Sequence, residues 1–233
     1  MPVSYQYKCI FVHIPKTAGT SVEHALGLHG DKTSIGLERY WNQQGQKENL
    51  FGGEYQHLTL PEIKRILPRN IFQNFFRFTI IRNPWDRLVS HFAWKDGKWA
   101  RKEELSKDDF ENSLYQFYER YRQNKMLTDR MKNWYRASSI YQGNLNVWEH
   151  RHLIPQYWYI HNYFKQSELD YIGRFENLEE TWQSICRQLK TELPLEQRMV
   201  SIRKNYREYY SKKSKRIVEE IYQRDIHKFS YNF

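Results

Sequence analysis

The chain has 233 residues, 39% of them hydrophobic, and carries 37 Lys and Arg against 27 Asp and Glu. That length can bury a full core as one α/β domain, and the two cysteines, Cys9 and Cys186, exclude a disulfide-stapled framework. No apolar run is long enough for a membrane span or a secretory leader, and no repeat or low-complexity tract divides the chain, so a single domain over residues 1–233 is expected. The basic excess favours an anionic partner by long-range steering, although runs such as Lys212-Lys213-Ser-Lys215-Arg216 also suit the solvated face of a helix whose Ile217, Val218, Ile221 and Tyr222 turn inward.

The first predicted element is a buried strand at Cys9-Ile-Phe-Val12. After it, Val22, Ala25 and Leu26 recur at helical spacing until Gly27 and Gly30 stop the helix. Between them lies His13-Ile-Pro-Lys-Thr-Ala-Gly-Thr-Ser21, which ends where first-turn N–H groups lack intrahelical partners and the helix dipole favours negative charge. Gly19 permits close backbone approach, Thr17, Thr20 and Ser21 bring hydroxyl groups, and Lys16 brings a mobile cation. A Gly-Thr-Ser turn alone would also suit an ordinary strand-to-helix connection. The number of matched features here points instead to a site for a phosphate-like anion. A nucleotide-kinase loop would place its lysine after the last glycine and would call for an acidic magnesium ligand, and neither feature is present.

Further along, Gly52-Gly-Glu-Tyr-Gln-His57 leads into a predicted helix opened by Pro61. His57 therefore reads as a loop residue at the edge of a site, with an ordinary pKa suited to taking a proton near neutrality. Glu54 is an alternative base. His13 is a third candidate, which strand alternation would turn away from the loop. A second strand, Phe76-Arg-Phe-Thr-Ile-Ile81, runs into Arg82-Asn83-Pro84, with Asn83 as N-cap, Pro84 in the first turn and Leu88, Val89 and Phe92 as the buried stripe of the following helix. Arg82 thus stands at a strand's C-terminal end, where open α/β sheets bind ligands, though such a turn also suits a surface arginine paired with Asp86. Ser90 lies two turns into that helix. From about 95 to 150 the chain is predicted helical and rich in aromatics (Trp94, Trp99, Tyr115, Tyr118, Tyr121, Trp134, Tyr135, Trp148) interleaved with Lys98, Arg101, Arg120, Arg122, Arg130 and Arg136. Phe110, Leu114, Phe117 and Tyr121 have core spacing, while the mixture as a whole would also suit stacking on sugar rings or single-stranded nucleic acid, and the segment is read as the acceptor-binding side.

Pro15-Lys16-Thr17-Ala18-Gly19-Thr20-Ser21 resembles the 5′-phosphosulfate-binding loop of sulfotransferases that use 3′-phosphoadenosine 5′-phosphosulfate (PAPS). Arg82-Asn-Pro-Trp-Asp-Arg-Leu-Val-Ser90 is similar to the 3′-phosphate motif of the same enzymes, whose first arginine and serine contact that phosphate. His150-Arg-His-Leu-Ile-Pro-Gln-Tyr-Trp-Tyr-Ile160 looks like the Pro-Gln-x-x-aromatic segment of the carbohydrate (Golgi-type, family 2) branch. Gly173-Arg-Phe-Glu-Asn-Leu-Glu-Glu180 looks like the strand-to-helix junction that follows, with Asn177 and Glu180 as a capping pair. Ser201-Ile-Arg203-Lys-Asn-Tyr206 resembles the family's last loop, close to the nucleotide, which assigns Arg203 to the donor.

The resemblance implies a P-loop-like three-layer α/β/α fold with a central, mainly parallel sheet. It also implies transfer of a sulfuryl group from PAPS, without a metal, to a hydroxyl of a carbohydrate such as a glycan or glycolipid, with PAP as product. Carbohydrate enzymes of the family place their catalytic histidine in a segment like that of His57. The acceptor can be anionic, and no specific nucleic-acid partner is expected. Golgi relatives carry a membrane anchor. This chain, with Met1 close to the first motif, is expected to be a cytoplasmic, bacterial member, with peripheral membrane attachment left open. The alternatives are a P-loop-type nucleotide kinase and a non-catalytic polyanion-binding module.

Overall fold

The computed structural model describes residues 3–28, 57–94, 104–123, 151–161, 166–198 and 201–233. The described elements run β1 (Val3–Ser4), β2 (Cys9–Val12), α1 (Gly19–Ala25), α2 (Leu60–Ile66), α3 (Arg69–Asn74), β3 (Phe76–Ile81), α4 (Pro84–Phe92), α5 (Lys107–Gln123), α6 (Tyr157–Ile160), β4 (Tyr171–Arg174), α7 (Leu178–Leu189), α8 (Lys212–Ile221) and α9 (Gln223–Phe229), with 3₁₀ turns at Phe175–Asn177 and Tyr206–Tyr209. The strands form one sheet in the order β1-β2-β3-β4, in which β2, β3 and β4 are parallel and β1 is an antiparallel edge.

β2 and β3 are apolar on both faces because both faces are covered. Phe11 pairs in register with Phe78, and with Cys9 and Ile80 they pack against Val22 and Leu26 of α1 and Trp182, Ile185 and Cys186 of α7. On the opposite face Ile10, Val12 and Ile81 join Ile63 of α2, Leu88 and Phe92 of α4, Phe110 and Leu114 of α5, and Val218 and Tyr222 of α8. The result is the expected helix-sheet-helix layering. Cys9 and Cys186 are free and buried in the first of these cores, and burial pushes the Cys9 thiol up to about 12, which leaves it unreactive.

Helix ends follow the sequence closely. Asn83 accepts a hydrogen bond from the Trp85 N–H with Pro84 in the first turn, and Thr59 and Glu62 form a capping box at α2. One expected cap does not form. Asn177 makes no side-chain bond at the start of α7, because the preceding 3₁₀ turn leads the chain into the helix and turns Glu176 toward α4, where its carboxylate accepts the Asn83 N–H at 2.6 Å.

The parallel pairing brings the C-terminal ends of β2 and β3 side by side, with Val12 opposite Thr79. The Thr79 hydroxyl adds a bond to the Val12 carbonyl at 2.7 Å. Both signature loops therefore leave the sheet from one edge. Of the aromatic-rich segment, Phe110 and Leu114 are core and Phe117, Tyr118 and Tyr121 pack partly buried beside them. Residues 95–103 and 124–150 lie outside the described residues. Among the described residues no helix is long and apolar enough to cross a membrane.

Candidate active site

The loop after β2 is held in a conformation that side chains other than glycine rarely adopt. Lys16 and Ala18 both have φ of 69°, the left-handed region, and Ala18 is the N-cap of α1. Each such residue costs on the order of 1 kcal/mol, so the surroundings must fix the loop. Thr17 helps to do so, since its hydroxyl donates to the Ile14 carbonyl at 2.8 Å and its side chain is fully buried. That hydroxyl braces the loop instead of facing outward as the sequence suggested. Ser21 Oγ likewise accepts the Arg198 N–H at 3.1 Å, while Thr20 remains half-buried at the start of α1.

Arg87 supports the loop from below. It is buried on α4, donates through Nε to the Pro15 carbonyl at 3.1 Å, and donates through Nη2 to the carbonyls of His152 and Ile154 at 2.9 and 3.0 Å. Nothing in the spacing singled it out, although a charge next to Leu88 in the apolar stripe was a visible anomaly.

Three cations from three segments meet at this edge. Lys16 is half-buried, and burial, then the nearby charges of Arg82 and Arg203, bring its ammonium down to about 7. Arg82 is buried. It donates from Nε to Asp86 Oδ2 at 2.7 Å and from Nη1 to the Lys16 carbonyl at 2.9 Å, and its guanidinium lies 3.7 Å from the centre of the Phe175 ring. Arg82 pairs with Asp86 as one reading expected, but as a buried residue and not a surface charge. Arg203 joins through the same carboxylate, donating to Asp86 Oδ1 at 2.6 Å. Such a concentration of positive charge is relieved by an anion, so the residues present fit a phosphate-bearing donor. Ser90 is buried on α4, and no hydrogen bond among the described residues joins it to the three cations.

Gln156 locks this edge to the C-terminal helices. Its side chain accepts the Arg82 N–H at 2.8 Å and donates to the Arg82 carbonyl at 2.7 Å, satisfying the end of β3 as a neighbouring strand would. Asp225 in turn accepts the backbone N–H groups of Gln156 and Tyr157, each at 2.8 Å, and complete burial raises its carboxyl to about 6.

A histidine cluster borders Lys16. His57 Nδ1 donates to the His13 carbonyl at 3.1 Å, and because a carbonyl only accepts, the neutral ring carries its lone pair on Nε2. Burial, followed by the adjacent His13, holds this imidazole well below the ordinary histidine range, so it is neutral at pH 7. The His57 ring stands edge-on to His13 at 4.5 Å and to His152 at 4.8 Å, and His152 stacks on Trp94, above which Lys16 Nζ lies at 4.6 Å. The backbone of His57 is anchored by Arg151, which donates to its carbonyl and forms a buried bidentate pair with Glu62, each bond 3.0 Å. Among the described residues no three His, Cys, Asp or Glu side chains are placed to hold a metal ion together. Glu54 lies outside the described residues.

His13 does not turn away from the loop. Beyond Val12 it continues the face of Phe11, against which its ring stacks, and α1 covers that face. There Nδ1 donates to Glu23 of α1 at 2.8 Å, and a β-carbon built on Gly19 would overlap the opposite edge of the ring. The glycine is therefore required by a histidine beneath it, a role that the strand pattern did not reveal.

The mostly parallel α/β sheet thus brings two strand-to-helix loops to one cationic edge, with a neutral histidine near a lysine. The chain belongs to the Sulfotransferase family, whose family model matches residues 1–232. It is accordingly a sulfotransferase, acting from a sulfate donor onto a hydroxyl acceptor, and the kinase and polyanion-binding alternatives give way. No curated protein and no solved structure shows a significant match.

The packing at Gly19 makes a test. Gly19→Ala is expected to destabilise the protein by about 1–3 kcal/mol, the usual cost of overpacking. His13→Ala in the same chain should restore part of that loss, because it empties the space that the new methyl needs. Urea melts of the two single variants and the double variant give the coupling, and strictly additive losses would contradict the contact.

Proposed function

We propose that the protein transfers a sulfuryl group from PAPS to a hydroxyl of a carbohydrate, a glycan or glycolipid, releasing PAP. The observation that carries this reading is the meeting of Lys16, Arg82 and Arg203 at the C-terminal edge of β2 and β3, a set of cations matched to a nucleotide with phosphates at two positions. Pro15 through Ser21 would hold the 5′-phosphosulfate, and Arg82, Ser90 and Arg203 the 3′-phosphate. The donor supplies the sulfuryl group. His57 takes the acceptor's hydroxyl proton at Nε2, the nitrogen left with its lone pair by the bond to the His13 carbonyl. Lys16 places positive charge where the bridging oxygen gains negative charge, and preorganised donors of this kind are commonly worth a few kcal/mol. The resemblance of residues 150–160 to the carbohydrate branch supports the carbohydrate acceptor. Turnover in the cytoplasm without a metal and a bacterial origin complete the proposal.

Thermal stabilisation by PAP and by ADP, each with EDTA and with magnesium, tests the donor. PAP at about 100 times Kd should add roughly 2.7 kcal/mol, or on the order of 5–10 °C, in EDTA as in magnesium, and ADP should add much less. A shift that requires magnesium and favours ADP would overturn the reading. Because Lys16 sits near 7 and an anion raises its pKa, PAP binding at pH 8 should take up a proton. Calorimetry in two buffers of different ionisation enthalpy measures this uptake, which Lys16→Met should abolish. His57→Ala should keep PAP affinity and lose about 10²–10⁴ in turnover of labelled PAPS, as for other general bases, and unchanged turnover would move the role to Glu54 or solvent.

A further inference from the structure

Asp86 stands in the first turn of α4, a favourable place for an acid at the positive end of a helix. Its position relative to the cations is unexpected on charge alone. A carboxylate beside an anion site opposes the ligand by Coulomb repulsion, yet Asp86 is half-buried at the centre of the cationic edge. Its two oxygens are divided between two arginines that come from different parts of the chain: Oδ2 takes Arg82 Nε at 2.7 Å and Oδ1 takes Arg203 Nη1 at 2.6 Å. Arg82 is also held at Nη1 by the Lys16 carbonyl and on its face by Phe175, so its remaining freedom is small. Arg203 is different. It comes from a stretch without regular secondary structure, with Ile202 and Lys204 exposed on either side, and the Asp86 carboxylate is what ties its guanidinium to the sheet edge. Without that carboxylate the two guanidiniums would repel each other, and the longer-tethered one would be free to swing into solvent.

We propose that Asp86 is a positioning residue that clamps Arg82 and Arg203 side by side and thereby sets the selectivity of the site for a nucleotide bearing a 3′-phosphate. The inference rests on the donor reading above and deepens it. Each arginine spends one N–H on the carboxylate, and Arg82 a second on the Lys16 carbonyl, which leaves N–H groups on both guanidiniums able to donate to one more anion.

The two possible roles of Asp86 predict opposite signs. If it acted through charge alone, Asp86→Asn would tighten binding of every anionic nucleotide. As a clamp, it must do the reverse for one ligand only. Calorimetric Kd values for PAP and for AMP, which lacks the 3′-phosphate, are measured on the full chain in wild type and D86N. The expected result is a loss of PAP affinity of about tenfold or more, the order of a lost charged hydrogen bond, with AMP affinity held or slightly improved. Tighter PAP binding, or equal losses for PAP and AMP, would overturn the clamp. A wild-type protein that binds PAP no better than AMP would overturn the donor reading and the clamp together. A wild-type preference that persists in D86N would overturn the clamp alone. Arg203→Met approaches the bridge from its other end and serves where D86N fails to fold. An R203M protein with the wild-type PAP-to-AMP ratio would overturn the proposal, because a clamped Arg203 must contribute to that preference.

Discussion

Parallel pairing of β2 with β3 is the constraint from which the site follows. Because Val12 is the partner of Thr79, two residues before β3 ends at Ile81, both strands leave the sheet on the same side, and the loops that follow them carry Lys16 and Arg82 to one edge. A register shifted by one residue would turn Phe11, Phe78 and Ile80 out of the core they share with α1 and α7, so hydrophobic burial on both faces enforces the alignment on which the cationic edge depends. Thr79 contributes directly, through its hydroxyl bond to the Val12 carbonyl.

On that frame, a few buried polar groups do work that hydrophobic packing cannot. Arg87 gathers the carbonyls of Pro15, His152 and Ile154, tying the loop after β2 to the segment that supplies His152. Gln156 completes the end of β3, and Asp225 holds Gln156 in place. Arg151 and Glu62 do the same for the backbone of His57. Each is a charged or amide group with little exposure, which is costly unless every donor and acceptor is matched, and the matched bonds are directional in a way that apolar contacts are not. Together they hold in place a loop with two left-handed residues.

The electrostatics of the edge and of the histidines are complementary. Burial, then the charges of Arg82 and Arg203, lowers the pKa of Lys16, and burial, with Arg203 as a further cause, lowers that of Arg82, so the site is strained in a sense that an anion relieves. His57 and His152, buried beside these cations, are kept neutral by desolvation, with the charge of neighbouring groups as a further cause. An arriving anion favours the protonated lysine, and on the roles proposed above it would also ease proton acceptance by His57.

Much of this was legible in the sequence. The order strand, Lys16-Thr-Ala-Gly19, helix and the order strand, Arg82-Asn83-Pro84, helix identify the layers, the cap at Asn83 and the strand ends at which Lys16 and Arg82 stand, because these depend on local periodicity and on the termini of helices. What the sequence could not settle depends on segments far apart in the chain. Arg82 meets the Lys16 carbonyl across 66 residues and Asp86 meets Arg203 across 117. The bond from His57 Nδ1 to the His13 carbonyl spans 44 residues and selects which nitrogen keeps its lone pair. His13 itself lies under Gly19 because α1 closes over the Phe11 face, where local alternation suggested the opposite. Local sequence thus determined the elements and the chemical types at their ends, while orientation, tautomer and the division of one carboxylate between two arginines were decided only by tertiary packing, which alone determines the neighbours of each side chain.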